Sequence, residues 1–354
     1  MTQNTNFNIA VIPGDGIGKP VIEQGIRVLE KVAGQLGISF DWEHFDWSCE
    51  HFHKTGKMMP EDGLEQLKRH NAIYLGAVGY PGVPDHVSLW GLLIPIRRVF
   101  QQYACIRPVR LFEGVPSPLA GVGPGDVDFV VVRENNEGEY SEIGGRIFQG
   151  TDAEVVSQQT LFSKKGVDRI LHYAFDLASR RKGKLTSATK SNGIMHTMPF
   201  WDERFAILAK KYPQVQTNQF HIDILTAHFV QHPQWFDVVV GSNLFGDILS
   251  DLGPAVAGTI GIAASANINP EGQFPSMFEP VHGSAPDIAG KGIANPIGAI
   301  WAGAMMLEHL GFEEGHDVIL GAIERVVKHQ SGKTRDMGGT ATTLECANAI
   351  LDEI

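Results

Sequence analysis

The sequence predicts an α/β fold on a largely parallel sheet. Three observations carry that prediction. Short apolar runs of strand length recur along the chain, amphipathic stretches of helix length lie between them, and glycine- or proline-bearing turns separate the two. Asn8–Ile12 reads as a buried strand and Pro13–Gly18 as the turn after it. Ile22, Ile26, Leu29 and Ala33 then recur at i, i+4, i+7 and i+11, one face of a helix. Ala72–Ala77 and Phe129–Val132 are further strands. Tyr140–Phe148 differs: Gly144-Gly145 sits between two alternating runs and predicts a hairpin turning at those glycines. A helix over Lys164–Arg181 puts Val167, Ile170, Ala174 and Leu177 on one stripe. Strand Lys184–Thr189, a helix with Ile222, Thr226, Phe229 and Val230 on a stripe, and strand Phe236–Val240 follow.

The 354 residues carry 29 Lys+Arg against 40 Asp+Glu, a formal charge of −11. That balance argues against a general nucleic-acid binder, which shows a basic face. The length exceeds the roughly 250–300 residues at which single cores stop growing, so two domains or one unit with two lobes are expected. No stretch reaches the roughly 18 apolar residues of a membrane helix. The N-terminus lacks a basic region before its short apolar run and is not read as a secretory signal. Cys49, Cys105 and Cys346 are odd in number, scattered and show no CxxC, which argues against a disulfide framework or zinc site and fits a reducing cytoplasm. No linker marks a domain boundary.

Several groups could carry chemistry. Gly14-x-Gly16-x-Gly18 has Lys19 where a dinucleotide fingerprint needs its third glycine, and no acid ends a second strand about 20 residues on, so the Rossmann reading is rejected. A tight turn and a closely approached ligand both remain open there. Asp247 and Asp251, after strand Val238–Val240, would share one helix face at i and i+4. Their mutual repulsion would be relieved by Mg²⁺ or Mn²⁺; two solvated surface acids are the alternative. Arg97, Arg107 and Arg133 form a third group, since the planar guanidinium suits carboxylates, and Arg133 ends a strand. Arg98 reads as a solvated or ion-paired neighbour. Lys190 ends a strand, Asp223 opens a helix, and Tyr140 borders Asn135–Glu139; each has a plain structural reading by itself. His51 and His53 lack a third ligand and read as surface.

Taken together, these residues are specific. The whole chain resembles the β-decarboxylating dehydrogenases, the family of isocitrate and 3-isopropylmalate dehydrogenases. The segments that carry the resemblance are Ile12–Gly18, Arg97 with Arg107, Val132–Tyr140, Thr189–Asn192, His221–Asp223, Asn243–Asp251 and Glu279–Gly290 through Asn295-Pro296, in family order. The resemblance implies a two-lobed α/β fold that is not a Rossmann domain. Residues 1–102 with 258–354 would form the large lobe with the NAD loop, and 103–257 a second lobe with a dimer clasp and the metal site. It implies a homodimer with shared active sites, clasped by the hairpin near 140–160. Arg97, Arg107 and Arg133 look like the carboxylate binders. Asp247 and Asp251, with Asp223 from the partner, look like the metal ligands. Lys190, also from the partner, looks like the base, and Tyr140 like the acid that protonates the enol carbon. His282, Gly283, Ser284, Ala285, Asp287 and Asn295 look like the cofactor-binding residues. Asp287 stands where NAD-dependent members place an acid and NADP-dependent members place Lys-Tyr over Asp287-Ile288, so NAD is expected. Related enzymes often use K⁺ as well.

The segment before Arg97 meets the substrate's C3 substituent in this family. Leu92, Leu93, Ile94 and Pro95 stand where isocitrate enzymes use polar residues. Isopropylmalate enzymes typically carry a glutamate before the Gly-Leu-Leu, and this chain also has one more residue between Gly91 and Arg97 than their pattern. Leu89–Arg98 resembles the tartrate/D-malate branch instead. The implied activity is NAD-dependent oxidative decarboxylation of D-malate to pyruvate and CO₂, with tartrate oxidation as a related activity. The alternative is 3-isopropylmalate dehydrogenase. Regulatory subunits of the family would be expected to lack a metal aspartate, the lysine or the tyrosine, and this chain retains all of them.

Overall fold

The computed structural model describes residues 5–329 and 332–354. The N-terminal reading above and both halves of the first lobe therefore include a few residues, 1–4 and 330–331, outside the described ones. Twelve strands are present among the described residues: β1 (Asn6–Gly14), β2 (Ser39–His44), β3 (Ala72–Ala77), β4 (Ala104–Arg110), β5 (Asp128–Glu134), β6 (Gly144–Ile147), β7 (Val155–Gln158), β8 (Lys184–Thr189), β9 (Gln216–His221), β10 (Val238–Gly241), β11 (Ala264–Ile268) and β12 (Ser276–Pro280). Ten of them form one sheet in the order β2-β1-β3-β12-β11-β4-β5-β10-β8-β9.

The sheet is mostly parallel, as expected, but its centre is not. Pairings are parallel from β2 to β12 and from β5 to β9, whereas β12–β11, β11–β4 and β4–β5 are antiparallel. Three reversals make β12 and β5 run in opposite directions, so the two parallel blocks do not continue one winding. This is not a Rossmann arrangement.

The inner strands are the ones the sequence announced. Every residue of β3 and β10 is buried, because helices cover both faces and the strands read as unbroken apolar runs. Edge strand β9, Gln-Thr-Asn-Gln-Phe-His, has no such run and escapes a hydrophobicity reading. The helix Ile297–His309 is buried on all sides through Leu307 and shows no amphipathic period. The helix Gly18–Leu36 buries Ile22, Leu29 and Ala33 as predicted, with Ile26 only partly covered.

Two local expectations are corrected. In the helix Ile222–Gln231 the buried stripe is Leu225 and Phe229, while Val230 faces solvent and Ile222 and Thr226 are half-buried. Phe229 is buried as expected, and Leu225, one turn before it, takes the place of Val230, so the period holds and the stripe is displaced towards Leu225. Gly144 and Gly145 do not form the hairpin turn. They begin β6 and pair with Gln158 and Ser157 of β7, and the connection spans 148–154. Gly144 is needed for close strand approach instead, since a Cβ there would meet the Ser157 carbonyl oxygen at 2.2 Å.

Candidate active site

The Gly14–Gly18 turn makes close contact with the chain's own backbone. Gly14 and Gly16 have φ of +73° and +53°, and a Cβ on them would lie 1.9 Å from the Ala77 oxygen and 2.1 Å from the Ser284 oxygen. Ile17 N–H donates to the Ser284 carbonyl at 2.9 Å. The turn thus fixes the loop that follows β12. Buried Asp15 holds it from behind by accepting the backbone N–H groups of Cys49, Glu50 and Gly79.

A cavity of about 200 Å³ opens where that loop, β3, the helical segment 85–99 and the helix Asn243–Val256 converge. This is below the ~300–1,000 Å³ of sites for drug-sized ligands and suits a small molecule. Arg97, Arg107, Arg133, Tyr140, Asp247, Glu279, His282 and Gly283 line it, with Leu75, Val78, Leu89 and Leu93 as an apolar wall. The three arginines are therefore brought together, each nearly buried. Arg133 ends β5 and donates through Nε and Nη2 to Asn243 Oδ1 at 3.0 and 2.7 Å, and through Nη1 to Asp247. Arg107 donates to Ser250 Oγ at 2.7 Å and more distantly to Asp251. Arg97 donates to Glu279 at 2.8 Å, and its buried Nε has no partner among the described residues.

Asp247 and Asp251 lie one turn apart on the helix Asn243–Val256, as predicted. Tyr140 Oη donates to Asp247 Oδ2 at 2.7 Å. Burial alone would raise the Asp247 carboxyl, but Arg133 and Arg107 hold it below the usual carboxylate range. Burial raises Asp251, with the Asp247 charge adding to the effect and Arg107 opposing it. Burial, then the Asp247 carboxylate, pushes the Tyr140 hydroxyl up to about 12, so it keeps its proton at neutral pH. Asp251 does not line the cavity and its side chain is 60% exposed, closer to the solvated reading than Asp247.

Lys190 and Asp223 lie elsewhere. The β8–β9 register sets Thr189 beside His221, which brings Lys190 Nζ within 2.9 Å of Asp223 Oδ1. Neither lines the cavity. Among the described residues, no three His, Cys, Asp or Glu side chains are grouped to hold a metal.

In the loop after β12, His282 Nδ1 lies 3.0 Å from the Gly283 carbonyl, which can only accept, so Nδ1 carries the proton. Burial lowers the ring's pKa, and Nε2 is buried without a partner, presenting a free lone pair. Ala285 is held at φ +41°, strained for a residue with a Cβ. Asp287 is exposed. The Asn295 amide is engaged internally, donating to Asp336 at 2.9 Å and accepting from Ile297 N–H. His51 is partly covered and lies beside Asp46, and His53 is exposed; no metal group includes them.

Sequence reasoning passed over Glu279 and Asn243 although both sit inside the segments that carried the resemblance. Glu279 bridges Arg97 and Asn267, and Asn243 accepts two N–H groups from Arg133 and donates to the Glu137 carbonyl. Glu139 accepts from Ser242 Oγ and Leu244 N–H, capping the helix that carries Asp247.

Residues 8–354 match the family described as isocitrate/isopropylmalate dehydrogenase. The chain belongs to that family. As a family member it is a β-decarboxylating dehydrogenase. It is 61% identical over 352 residues to the D-malate dehydrogenase [decarboxylating] of Escherichia coli (strain K12), covering 97% of each chain. It is 59% identical to the tartrate dehydrogenase/decarboxylase of Pseudomonas putida, over 99% of this chain and 98% of that one. The crystal structure of isocitrate dehydrogenase from Methylococcus capsulatus superposes with a TM-score of 0.88 at 34% identity, covering 98% of this chain and 99% of that one. Among the described residues, no helix of this dehydrogenase is long and apolar enough to cross a membrane.

Proposed function

We propose that the enzyme oxidatively decarboxylates D-malate to pyruvate and CO₂, with NAD as hydride acceptor and Mg²⁺ or Mn²⁺ as the metal, and oxidises tartrates as a related activity. The observation that carries this reading is the cavity: three buried guanidiniums face a small space closed by Leu89 and Leu93. Guanidiniums fit the two carboxylates of a four-carbon diacid. The leucine wall offers no partner to a third. The D-malate and tartrate activities named for the relatives agree.

The residues present fit the implied groups. Asp247 and Asp251 supply hard oxygen donors one helical turn apart, and Asp223 of the partner subunit would complete the set. A divalent ion held by these carboxylates would supply Lewis-acid polarisation of the substrate. The free Nε2 lone pair of His282 and the exposed carboxylate of Asp287 suit a ligand rich in N–H and hydroxyl donors, as the adenosine of NAD is. Arg97, Arg107 and Arg133 bind and orient the carboxylates. Lys190 of the partner subunit takes the hydroxyl proton, and Tyr140 returns a proton to C3 once CO₂ has left.

A homodimer supplies the missing residues. Ile143, Ile147, Phe148, Val155 and Val156 leave the β6–β7 hairpin apolar and exposed. A two-stranded hairpin is marginal in water alone and gains by docking on a second copy. The lobes are taken as 1–102 with 258–354, and 103–257; the two opposed parallel blocks of the sheet support that division. Three buried free cysteines fit a cytoplasmic location.

The test is kcat/KM for D-malate, meso- and L-tartrate and 3-isopropylmalate, with NAD and Mn²⁺. D-malate should rank first. A clear preference for 3-isopropylmalate would overturn the substrate assignment.

Replacing Asp287 and Ile288 by Lys and Tyr should raise the NADP-over-NAD ratio of kcat/KM by roughly 100-fold, because a carboxylate that repels a 2′-phosphate becomes an ammonium that attracts it. A wild type that uses NADP as well as NAD would show that this loop does not set the preference.

Tyr140→Phe should decarboxylate offered oxaloacetate roughly 100-fold more slowly, the loss of one positioned general acid. Unchanged decarboxylation would assign the proton to another group.

A further inference from the structure

We propose that Arg98 is a positioning residue for Tyr140, and that a π-turn in the helical segment before it puts Trp90 in place to hold it. The proposal rests on the reading of Tyr140 as the proton donor. Arg98 Nη2 donates to the Tyr140 main-chain carbonyl, and Nη1 reaches Glu142 at 3.3 Å. On its other side the guanidinium lies over the Trp90 ring, 4.9 Å from the centroid. The cation is therefore held between an aromatic face and the backbone of the residue that carries the reactive hydroxyl.

Trp90 and Arg98 are eight residues apart, which in a regular α-helix leaves them about 80° out of line at 100° per residue. They meet because the segment is not regular. Leu89–Leu93 is a π-turn, closed by Ile94 N–H donating to the Leu89 carbonyl five residues back. Such a turn takes up one extra residue, so eight positions span what seven would in an α-helix, about 20° short of two turns. Leu89 and Arg97, also eight apart, share the cavity wall for the same reason.

The local sequence dictates the irregularity. Pro95 has no N–H to give to Gly91 four residues back, and its ring crowds that carbonyl. A wider turn relieves the crowding. Gly91 is pressed against Met58, where a Cβ would come within 2.7 Å of Cγ, so the turn is backed by packing. The extra residue before Arg97 thus aligns two pairs of side chains, one at the substrate and one beneath Tyr140.

The experiment compares Arg98→Ala, Trp90→Ala and Trp90→Phe with wild type by two readouts. Backbone hydrogen exchange of segment 139–143 needs no substrate. It should quicken by about fivefold or more in Arg98→Ala and in Trp90→Ala, although Trp90 reaches that segment through Arg98, and return towards wild type in Trp90→Phe. Rapid-mixing kinetics with D-malate and NAD should show an NADH burst at the wild-type rate followed by a steady rate roughly tenfold lower in the two alanine variants, since only steps after hydride transfer are slowed. Wild-type exchange in Trp90→Ala would overturn the relay. Burst and steady phases slowed together would show a general structural lesion and overturn the positioning role. A wild type that makes no NADH from D-malate would overturn the substrate reading instead, and the exchange measurement alone would then decide this proposal.

Discussion

Asp247→Asn should lower turnover at least ~1,000-fold at saturating D-malate, NAD and Mn²⁺ while leaving the fold intact. The carboxylate is engaged on three sides, by Arg133, by the Tyr140 hydroxyl and more distantly by Arg107 at 3.6 Å. Asparagine keeps the shape and one acceptor oxygen. It loses the charge that would hold a divalent ion and that balances the guanidiniums around it. The stability loss should stay within roughly 1–3 kcal/mol, because the arginine still finds Asn243 Oδ1 and the amide oxygen. Circular dichroism and thermal melting separate the two effects. Turnover within tenfold of wild type, or full wild-type activity in excess EDTA, would remove the metal from the mechanism.

The second large effect is recovery from two dead variants. Lys190 and Asp223 pair with each other and stand away from the cavity that holds Asp247. If each site takes Lys190 and Asp223 from the opposite chain, Lys190→Ala and Asp247→Asn unfolded and refolded together should complement. In a mixed dimer one site draws Asp247 from the first variant and Lys190 from the second, and is whole. The other carries both lesions. Random pairing makes about half the dimers mixed with one good site of two, so roughly a quarter of wild-type activity should return under twofold symmetry. If one chain supplied both residues to a site, every site would carry a lesion and nothing would return. Absence of recovery from a mixture shown to contain mixed dimers would sink the shared site and leave the dehydrogenase standing.

The sequence was enough for the type of the inner strands, for the amphipathic helices and for part of what lines the cavity. β3, β5 and β10 are apolar runs because both sheet faces are covered, and a run of that kind needs no neighbour to be recognised. Arg97, Arg107, Arg133, Tyr140 and Asp247 stand at family spacings, and the structure gathers all five on one cavity. Their chemistry is carried by residue type, and residue type is what a sequence states directly.

What only the tertiary structure decided concerns phase, partner and register. Edge strand β9 and the helix Ile297–His309, buried on all sides through Leu307, lack a period that would betray them. The phase of the Ile222–Gln231 helix depends on which side meets the sheet, and that is a property of packing. Glu279 could be read as one more acid in a motif until the fold set it against Arg97. The Leu89–Leu93 turn is the sharpest case. One extra residue and a proline are visible in the chain, but which side chains they align is settled by the hydrogen bond from Ile94 to Leu89 and by Met58 packed behind Gly91. Local sequence sets what each residue can do. Long-range packing selects which neighbours it does it with, because those contacts join parts of the chain that no spacing rule connects.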